Sequence, residues 1–200
     1  MSKRPNHEPW DLRGERNFIP YACVDGFSEK ECNSFVTFLK SNKRFEGKGE
    51  IQGGDNDSTN IRDCYVNFVP KNVPETDWIY KKISLLTLEL NELHFKYDIS
   101  DVETIQFTTY LGNQKSHYGQ HVDHLTLGSR WRKLSCVIQL SDPNDYEGGD
   151  LVLYLPQKFV VPKKRGTFVI FPSFLPHAVF PVSKGVRYSA VSWILGPPYR

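Results

Sequence analysis

The spacing of apolar residues changes near residue 102, and this change limits the possible folds more than any other feature. Before it, apolar residues recur at intervals of three and four, which predicts a helix over residues 75–94. The recurring residues are Trp78, Ile79, Ile83, Leu86, Leu90 and Leu93. After it come short segments rich in β-branched and aromatic residues and separated by turn signals: TIQFTTYL, KLSCVIQL, DLVLYL, GTFVIF and RYSAVSWIL. This order predicts an α+β protein in which N-terminal helices pack on one sheet of a jelly roll.

The chain before residue 75 contributes the remaining predicted elements. Residues 1–17 are polar and lack a period, so we expect a flexible tail followed by one domain over residues 18–200, with its jelly roll at about 102–200. FIPYACVDGF predicts a strand. Ser28 and Glu31 have the spacing of a capping box ahead of a helix in ECNSFVTFLKSN. On that helix Phe35, Phe38 and Leu39 share one face.

The segment FEGKGEIQGGDNDST is rich in glycine and aspartate and has no apolar period. It predicts a long loop, and long loops in compact domains are often lids or binding loops. We therefore consider residues 46–60 a candidate lid over the path that a substrate takes to the site.

Charge and apolar content give little indication of a partner. The chain carries 25 basic and 23 acidic side chains, so its net charge of +2 gives no argument for a nucleic-acid or membrane partner. No stretch approaches the roughly 20 apolar residues of a membrane span, and the N-terminus has no apolar signal core. Four cysteines without CxxC spacing predict reduced thiols in a cytoplasmic setting. The basic stretch SRWRK is interpreted as a solvated hairpin loop, and the oligomeric state is not readable.

The tripeptide His121-Val122-Asp123 follows a predicted strand end. In an extended chain, residues two apart project to the same side, so one imidazole and one carboxylate converge. His177, after the strand GTFVIF, is the best candidate for a third ligand. Two histidines and one carboxylate leave positions open on an ion, which suits iron(II) oxygen chemistry, whereas a structural zinc site needs a fourth protein ligand.

An HxD pair alone is weak support for a metal site, because the pair is common by chance. The chain has six histidines, so a distant one is unsurprising. His7, His94 and His124 are assigned to surface or supporting roles. His117 receives the same assignment but stays a competitor, because it lies four residues before His121.

Arg187 lies ten residues after His177, on the next predicted strand. We expect consecutive strands of a jelly roll to lie side by side, so Arg187 can reach the same cavity. A buried guanidinium needs an anionic partner, and its planar fork suits a carboxylate. Ser189, two residues on, faces the same side and can donate a second hydrogen bond. The alternative is an arginine paired with a surface carboxylate.

The run from QFTTYLGNQKSHYGQHVDH to RYSAVSWILGPPYR resembles the catalytic domain of 2-oxoglutarate- and iron(II)-dependent dioxygenases of the prolyl 4-hydroxylase type. The nearest likeness is to the PKHD-type hydroxylases of bacteria and phages. It is carried by the order and spacing of HVD, EGG, RGT, FPS, the later histidine and RYS. The chain departs from the family pattern at LGNQKSHYGQ, where the family has a glycine-rich turn.

The resemblance implies a double-stranded β-helix that binds iron(II), 2-oxoglutarate and O2. It implies that His121, Asp123 and His177 form the facial triad of metal ligands. It also implies that Arg187 binds the distal carboxylate of 2-oxoglutarate. Ascorbate stays open as an auxiliary reductant.

Three aromatic residues match family positions near this site. The resemblance implies that the Tyr110 hydroxyl meets the same carboxylate as Arg187, that Tyr118 lines the pocket beside the metal, and that Trp193 lies near the triad. The alternative for each is core packing, the usual fate of aromatic residues on strands.

The implied reaction is hydroxylation of a C–H bond, with succinate and carbon dioxide as co-products. A prolyl or other residue of a peptide or protein is the favoured substrate, because the polar loop suggests open access; a small molecule is the alternative. Two rivals stay open: a cupin-like metalloenzyme without oxygenase activity, and a binding module with a degenerate site.

Overall fold

The computed structural model describes residues 20–41, 46–48, 61–124 and 126–199. Two α-helices are present in these ranges, α1 (Glu29–Ser41) and α2 (Pro74–Leu90). The first seven strands are β1 (Ala22–Asp25), β2 (Glu46–Lys48), β3 (Arg62–Asp63), β4 (Tyr65–Phe68), β5 (Asp101–Val102), β6 (Gln106–Leu111) and β7 (His117–His121). The later strands are β8 (Thr126–Leu127), β9 (Arg130–Gln139), β10 (Tyr146–Gly148), β11 (Leu151–Leu153), β12 (Phe159–Val160), β13 (Thr167–Pro172), β14 (His177–Val179) and β15 (Val182–Gly196).

The strands form two antiparallel sheets. The larger has the order β1-β13-β9-β15-β6-β4-β2, with β5 and β10 paired to β15 and β8 paired to β9. The smaller has the order β12-β11-β14-β7-β3. Buried residues from both sheets, among them Val137, Phe171, Leu153 and Val179, share one core cluster, so the sheets pack face to face. The predicted α+β jelly roll is confirmed.

The other face of the larger sheet carries the helices. Phe35 of α1 and Ile83 of α2 are buried in a second core cluster with Ile138 and Phe168 of the sheet. Residues of β9 and β13 therefore alternate between a helix-facing core and an interior between the sheets. The predicted packing of N-terminal helices on one sheet is confirmed. The space between the two sheets is separate from the core under the helices.

The start of α1 is the predicted capping box. The Ser28 backbone N–H donates to Glu31 Oε2 at 2.7 Å, and the Glu31 N–H donates back to Ser28 Oγ at 3.3 Å. Lys82 of α2 donates to both carboxylate oxygens of Glu31, at 2.6 and 2.7 Å. The cap therefore also joins the two helices.

The second helix is shorter than its sequence pattern predicts. α2 ends at Leu90, and a π-helical turn over Asn91–Phe95 follows. The Asn91 side chain holds this end, since Nδ2 donates to the Tyr97 carbonyl at 2.9 Å and Oδ1 accepts the Tyr97 N–H at 3.0 Å. The wider turn rotates Leu93 off the apolar face, so this residue is 64% exposed rather than buried.

Two further expectations need correction. Residues Glu46–Lys48, predicted as loop, form β2 and pair with β4, whereas residues 49–60 of the candidate lid and the predicted tail at 1–17 lie outside the described residues. The SRWRK stretch is not a solvated loop: Arg130 begins β9, and Lys133 is only 3% exposed. Neither helix of the described ranges has the length and apolar character of a membrane span.

Candidate metal centre

The three predicted ligands meet at the ends of two paired strands. His121 is the last residue of β7, His177 is the first residue of β14, and the two are register partners. Asp123 follows β7 by two residues, and its backbone N–H donates to the Ser173 carbonyl at 2.9 Å. This hydrogen bond ties the tripeptide to the segment before β14, so both histidines and the carboxylate face one point.

The ligand atoms have the separations of a metal site. His121 Nε2 lies 3.6 Å from Asp123 Oδ1, and His177 Nε2 lies 3.3 Å from Asp123 Oδ2. The candidate ligand atoms all lie within 4.8 Å of one another. His117 is not part of this cluster; its ring Nδ1 is 3.1 Å from the Lys115 carbonyl. Of these two histidines, His121 is the one that the structure places in the cluster with Asp123 and His177.

Backbone carbonyls orient both imidazoles. Nδ1 of His121 is 2.8 Å from the Gly119 carbonyl, and Nδ1 of His177 is 3.0 Å from the Leu175 carbonyl. A carbonyl can only accept, so each Nδ1 carries a proton, and each Nε2 is the ring nitrogen that faces Asp123. Metal-binding histidines commonly have such partners. The donor set therefore fits a divalent cation.

The electrostatics of the cluster favour charge on the carboxylate. Burial alone would raise the pKa of Asp123, but the charge and hydrogen bonds of His177 and His121 hold it well below its usual range. Burial likewise opposes a proton on His177, and the Asp123 carboxylate outweighs it, so the pKa of His177 is raised. An ionised, buried carboxylate between two imidazoles is ready to accept a cation.

Ser135 of β9 supports the carboxylate from the larger sheet. Its hydroxyl donates to Asp123 Oδ2 at 2.7 Å and lies 3.1 Å from Ser173 Oγ. All three residues are buried. The carboxylate is thus oriented by groups from a second strand and cannot rotate freely.

Arg187 is a fully buried cation with unused donors. Its exposure is 0%, and its Nη2 donates to Gln139 Oε1 at 2.9 Å. Its Nε and Nη1 have no hydrogen-bond partner within the described part of the chain. A buried donor without a partner costs about 1–3 kcal/mol. The residues present therefore fit an anion, such as a carboxylate, bound beside Arg187.

Tyr110 and Arg187 are register partners on β6 and β15, and the guanidinium carbon lies 5.0 Å from the tyrosine ring centroid. Burial raises the pKa of Tyr110 well above its usual value, so its hydroxyl stays neutral and able to donate. Ser189 is also buried and is the register partner of Gln139. The structure brings Tyr110 to Arg187, and it places Ser189 one inward position farther along β15.

The expectation that the strands carrying His177 and Arg187 lie side by side is wrong. Their strands, β14 and β15, belong to different sheets and do not pair. Arg187 instead projects from the larger sheet into the interior, while His177 lies on the smaller one. The interior between two sheets, rather than strand pairing, is what they share.

Tyr118 lies directly beside the metal ligands. Its ring stacks on that of His121 with 3.5 Å between centroids and 14° between planes. Its other face meets the Arg62 guanidinium, whose carbon is 4.6 Å from the ring centroid. Tyr118 therefore lies against the His121 imidazole, and its role in lining a pocket beside the metal stays a prediction.

Trp193 is register partner of Ser135 and packs under the Arg132 guanidinium at 3.7 Å. Trp193 therefore lies beside the residue that donates to Asp123. The Nε1 of Trp193 is buried and has no hydrogen-bond partner among the described residues.

Sequence reasoning assigned no role to Ser135, Gln139 or Gly149. A signal for the first two exists: Lys133, Ser135 and Gln139 lie on one side of KLSCVIQL, where only Val137 is apolar, and this is unusual for a strand buried on both faces. Gly149, in EGG, has φ +66°, and a Cβ there would lie 2.9 Å from Arg187 Cδ. The motif thus leaves room for the arginine stem.

Comparison with known proteins agrees with this geometry. Residues 105–195 match the family model of the 2OG-Fe(II) oxygenase superfamily. A PKHD-type hydroxylase of Thermosynechococcus vestitus is 43% identical over 84 residues, which cover 38% of this chain and 37% of that protein. The matches span between 36% and 54% of the lengths of the first curated relatives, so less than two thirds of each is covered.

Solved structures share the fold over most of the chain. A prolyl-4-hydroxylase of Pseudomonas putida has a TM-score of 0.70 at 18% identity, covering 90% of this chain and 94% of that one. A Trichoplax adhaerens prolyl hydroxylase, solved with a peptide fragment of the hypoxia inducible factor oxygen degradation domain, has a TM-score of 0.70 at 16% identity, covering 88% and 84%. Fold and site define a jelly-roll protein with a two-histidine, one-carboxylate centre. Residues 105–195 thus resemble the 2OG-Fe(II) oxygenase superfamily, whose cofactors are iron(II), 2-oxoglutarate and O2, and they include the cluster of His121, Asp123 and His177.

Proposed function

We propose that this protein is an iron(II)- and 2-oxoglutarate-dependent dioxygenase that hydroxylates a C–H bond of a peptide or protein substrate. In the balanced reaction, substrate, 2-oxoglutarate and O2 give hydroxylated substrate, succinate and carbon dioxide. One oxygen atom enters the new hydroxyl group and the other enters succinate.

The observation that carries the proposal is a pair of complementary sites in one interior. Three oriented ligand atoms lie within 4.8 Å of one another, and a buried guanidinium has two nitrogen atoms without a partner in the described ranges. A molecule that both chelates a cation and ends in a carboxylate satisfies both. A cupin-like hydrolase or isomerase has use for the three ligands but none for Arg187.

Each residue then has a distinct role. His121 and His177 bind the iron through Nε2, and Asp123 binds it through its carboxylate. Arg187 binds the distal carboxylate of 2-oxoglutarate, and the neutral Tyr110 hydroxyl donates to the same group. When bound, the iron supplies the oxygen activation that amino-acid side chains cannot provide. The protein contributes orientation and exclusion of water, since Arg187 and His177 are buried.

Exposed apolar residues beside the ligands support a peptide substrate. Val122, between His121 and Asp123, is 50% exposed, and Phe174, next to Ser173, is 44% exposed. Apolar surface at the edge of a polar site suits the side chains that flank a target residue. The Trichoplax protein of the same fold was solved with a peptide. A prolyl residue is the first candidate for the target.

The test is anaerobic reconstitution with iron(II) and 2-oxoglutarate, followed by O2 and peptide libraries. We expect succinate release and a product heavier by one oxygen atom, detected by mass spectrometry. His121→Ala and Asp123→Ala should abolish both, and the matched control His117→Ala should retain them. Succinate release by the two ligand variants at the wild-type rate contradicts the proposal. Product formation from small molecules alone contradicts the peptide assignment.

A further inference from the structure

Arg187 is held by a neutral side chain rather than by a carboxylate. Its Nη2 donates to Gln139 Oε1 at 2.9 Å, and within the described ranges it forms no ion pair. By contrast Arg132, whose side chain is 13% exposed, is paired with the Glu103 carboxylate, with Nε donating at 2.8 Å. Within the described ranges no carboxylate compensates the charge of the buried Arg187 guanidinium, and this distinguishes it from Arg132.

The Gln139 amide is itself held in one orientation. The side-chain Nε2 of Gln139 faces the Pro162 carbonyl at 3.5 Å, which is a long contact. The backbone carbonyl of Gln139 accepts the Gly166 N–H at 2.8 Å, and this bond holds the strand rather than the amide. A carbonyl on the Nε2 side and an N–H donor on the Oε1 side both favour the same flip of the amide. Gln139 is 2% exposed, so water does not compete for either group. The amide oxygen therefore points at the guanidinium in a fixed way.

A neutral acceptor has a physical advantage at this place. A carboxylate at position 139 would also orient Arg187, but it would neutralise the charge that a bound anion needs. An apolar residue would leave the charge but free the guanidinium to rotate. An amide oxygen fixes one N–H and leaves the charge uncompensated.

We propose that Gln139 is a positioning residue for the cosubstrate, which orients Arg187 while preserving its charge for the distal carboxylate of 2-oxoglutarate. Gln139 lies opposite Ser189 on the neighbouring strand, so the same pair of strands carries both the arginine and its support. The inference rests on the proposed function of Arg187, and it assigns a role to a residue that acts through that arginine.

The experiment measures binding to the iron(II)-loaded protein in the absence of O2. Calorimetry gives the dissociation constants of 2-oxoglutarate and of 2-oxopentanoate, which has the same chain length but no distal carboxylate. We expect Gln139→Leu to weaken 2-oxoglutarate binding roughly tenfold, the effect of one hydrogen bond to a charged group. Gln139→Glu should weaken it roughly a hundredfold or more, because the new carboxylate competes for Arg187. Binding of 2-oxopentanoate should not change in either variant.

Thermal melting separates positioning from a structural role. Gln139→Glu should melt no lower than wild type, because it forms an ion pair with Arg187, so it carries the test even where Gln139→Leu is too unstable to measure. Gln157→Glu, the same change at an exposed position, is the matched control and should bind 2-oxoglutarate like wild type.

Two outcomes overturn the inference in distinguishable ways. Unchanged 2-oxoglutarate binding in Gln139→Glu, or equal losses for both oxo acids with a lower melting temperature, contradicts the role of Gln139 alone. A wild-type protein that binds 2-oxoglutarate no better than 2-oxopentanoate contradicts the proposed role of Arg187 as well.

Discussion

The Ser135 hydroxyl donates a 2.7 Å hydrogen bond to Oδ2 of Asp123, the same oxygen that lies 3.3 Å from His177 Nε2. The bond crosses from β9 of the larger sheet to the tripeptide that follows β7 of the smaller one. It therefore couples the two sheets at the metal centre. A carboxylate oriented from behind presents its lone pairs to an ion at less entropic cost.

Removing this support should weaken the metal site without abolishing it. We expect Ser135→Ala to weaken iron(II) binding roughly tenfold, the lower end of what supporting residues contribute. Anaerobic equilibrium dialysis measures the effect. Ser192→Ala is the control, because Ser192 is equally buried but donates to the Glu103 carbonyl, away from the ligands. Equal iron affinity in wild type and Ser135→Ala would show that the bond does not orient Asp123.

Gly149 should be needed for both backbone shape and the arginine stem. Its φ is +66°, and an added Cβ would lie 2.9 Å from Arg187 Cδ. We expect Gly149→Ala to destabilise the fold by about 1–3 kcal/mol and to weaken 2-oxoglutarate binding. Denaturant unfolding and calorimetry measure the two effects.

Gly128 provides the matched control for Gly149. It has a similar φ of +61°, but an added Cβ would meet nothing within 4 Å. Gly128→Ala should therefore carry backbone strain without a change in cosubstrate affinity. If both variants lost affinity equally, the contact between position 149 and Arg187 would be irrelevant.

The helix cap should make stability depend on pH in the acidic range. Burial alone would raise the pKa of Glu31, but hydrogen bonds from Lys82 and Ser28 and the Lys82 charge lower it to about 2, from 4.5. Because the folded-state pKa is the lower one, the stabilisation is complete above about pH 4.5 and is lost as the pH falls toward 2. The carboxylate is 31% exposed, so we expect only about 1 kcal/mol after solvent screening.

The measurement is the difference in free energy of unfolding between wild type and Glu31→Gln across that pH range. The difference should shrink as the pH falls. Lys82→Met removes the same ion pair and should reduce the part of the pH dependence that Glu31 contributes. A difference that stays constant down to pH 2 contradicts the assigned cap.

The cysteines should be nearly unreactive in the folded protein. All four are free, and Cys32, Cys64 and Cys136 are buried. Burial raises the pKa of Cys32 to about 11 and that of Cys136 to about 12, so little thiolate exists at neutral pH. A thiol reagent should label only Cys23 in the native state and all four cysteines after denaturation. Rapid labelling of a second thiol in the native protein is inconsistent with this core.

The candidate metal ligands could be proposed from the sequence because part of their chemistry depends on local spacing. His121 and Asp123 project together from one short segment. His177 and Arg187 were candidates by their positions relative to predicted strands, and the resemblance implied the roles of all four residues. The way in which Arg187 reaches the interior could not be predicted, because strand order does not reveal which strands share a sheet. Leu93 was misplaced because the Asn91 contacts with Tyr97 end the helix, and such side-chain bonds leave no apolar period.

The residues that orient Asp123 and Arg187 could be recognised only in part from the sequence. Ser135 and Gln139 stand at inward positions of β9, but their partners come from distant segments of the chain. Gly149 was noticed within EGG as part of a family pattern. The need for glycine at this position comes from the nearby Arg187 side chain, which is distant in sequence.

The central claim is that one molecule bridges the metal ligands and Arg187, and anaerobic titration of the iron(II)-loaded protein with 2-oxoglutarate tests it most directly. Chelation of iron(II) by a 2-oxo acid gives a visible absorption band. We predict a saturable band in wild type, none in Asp123→Ala, and one in Arg187→Ala that requires roughly a hundredfold more 2-oxoglutarate. Saturation of Arg187→Ala at the wild-type concentration, or a normal band in Asp123→Ala, would contradict the account.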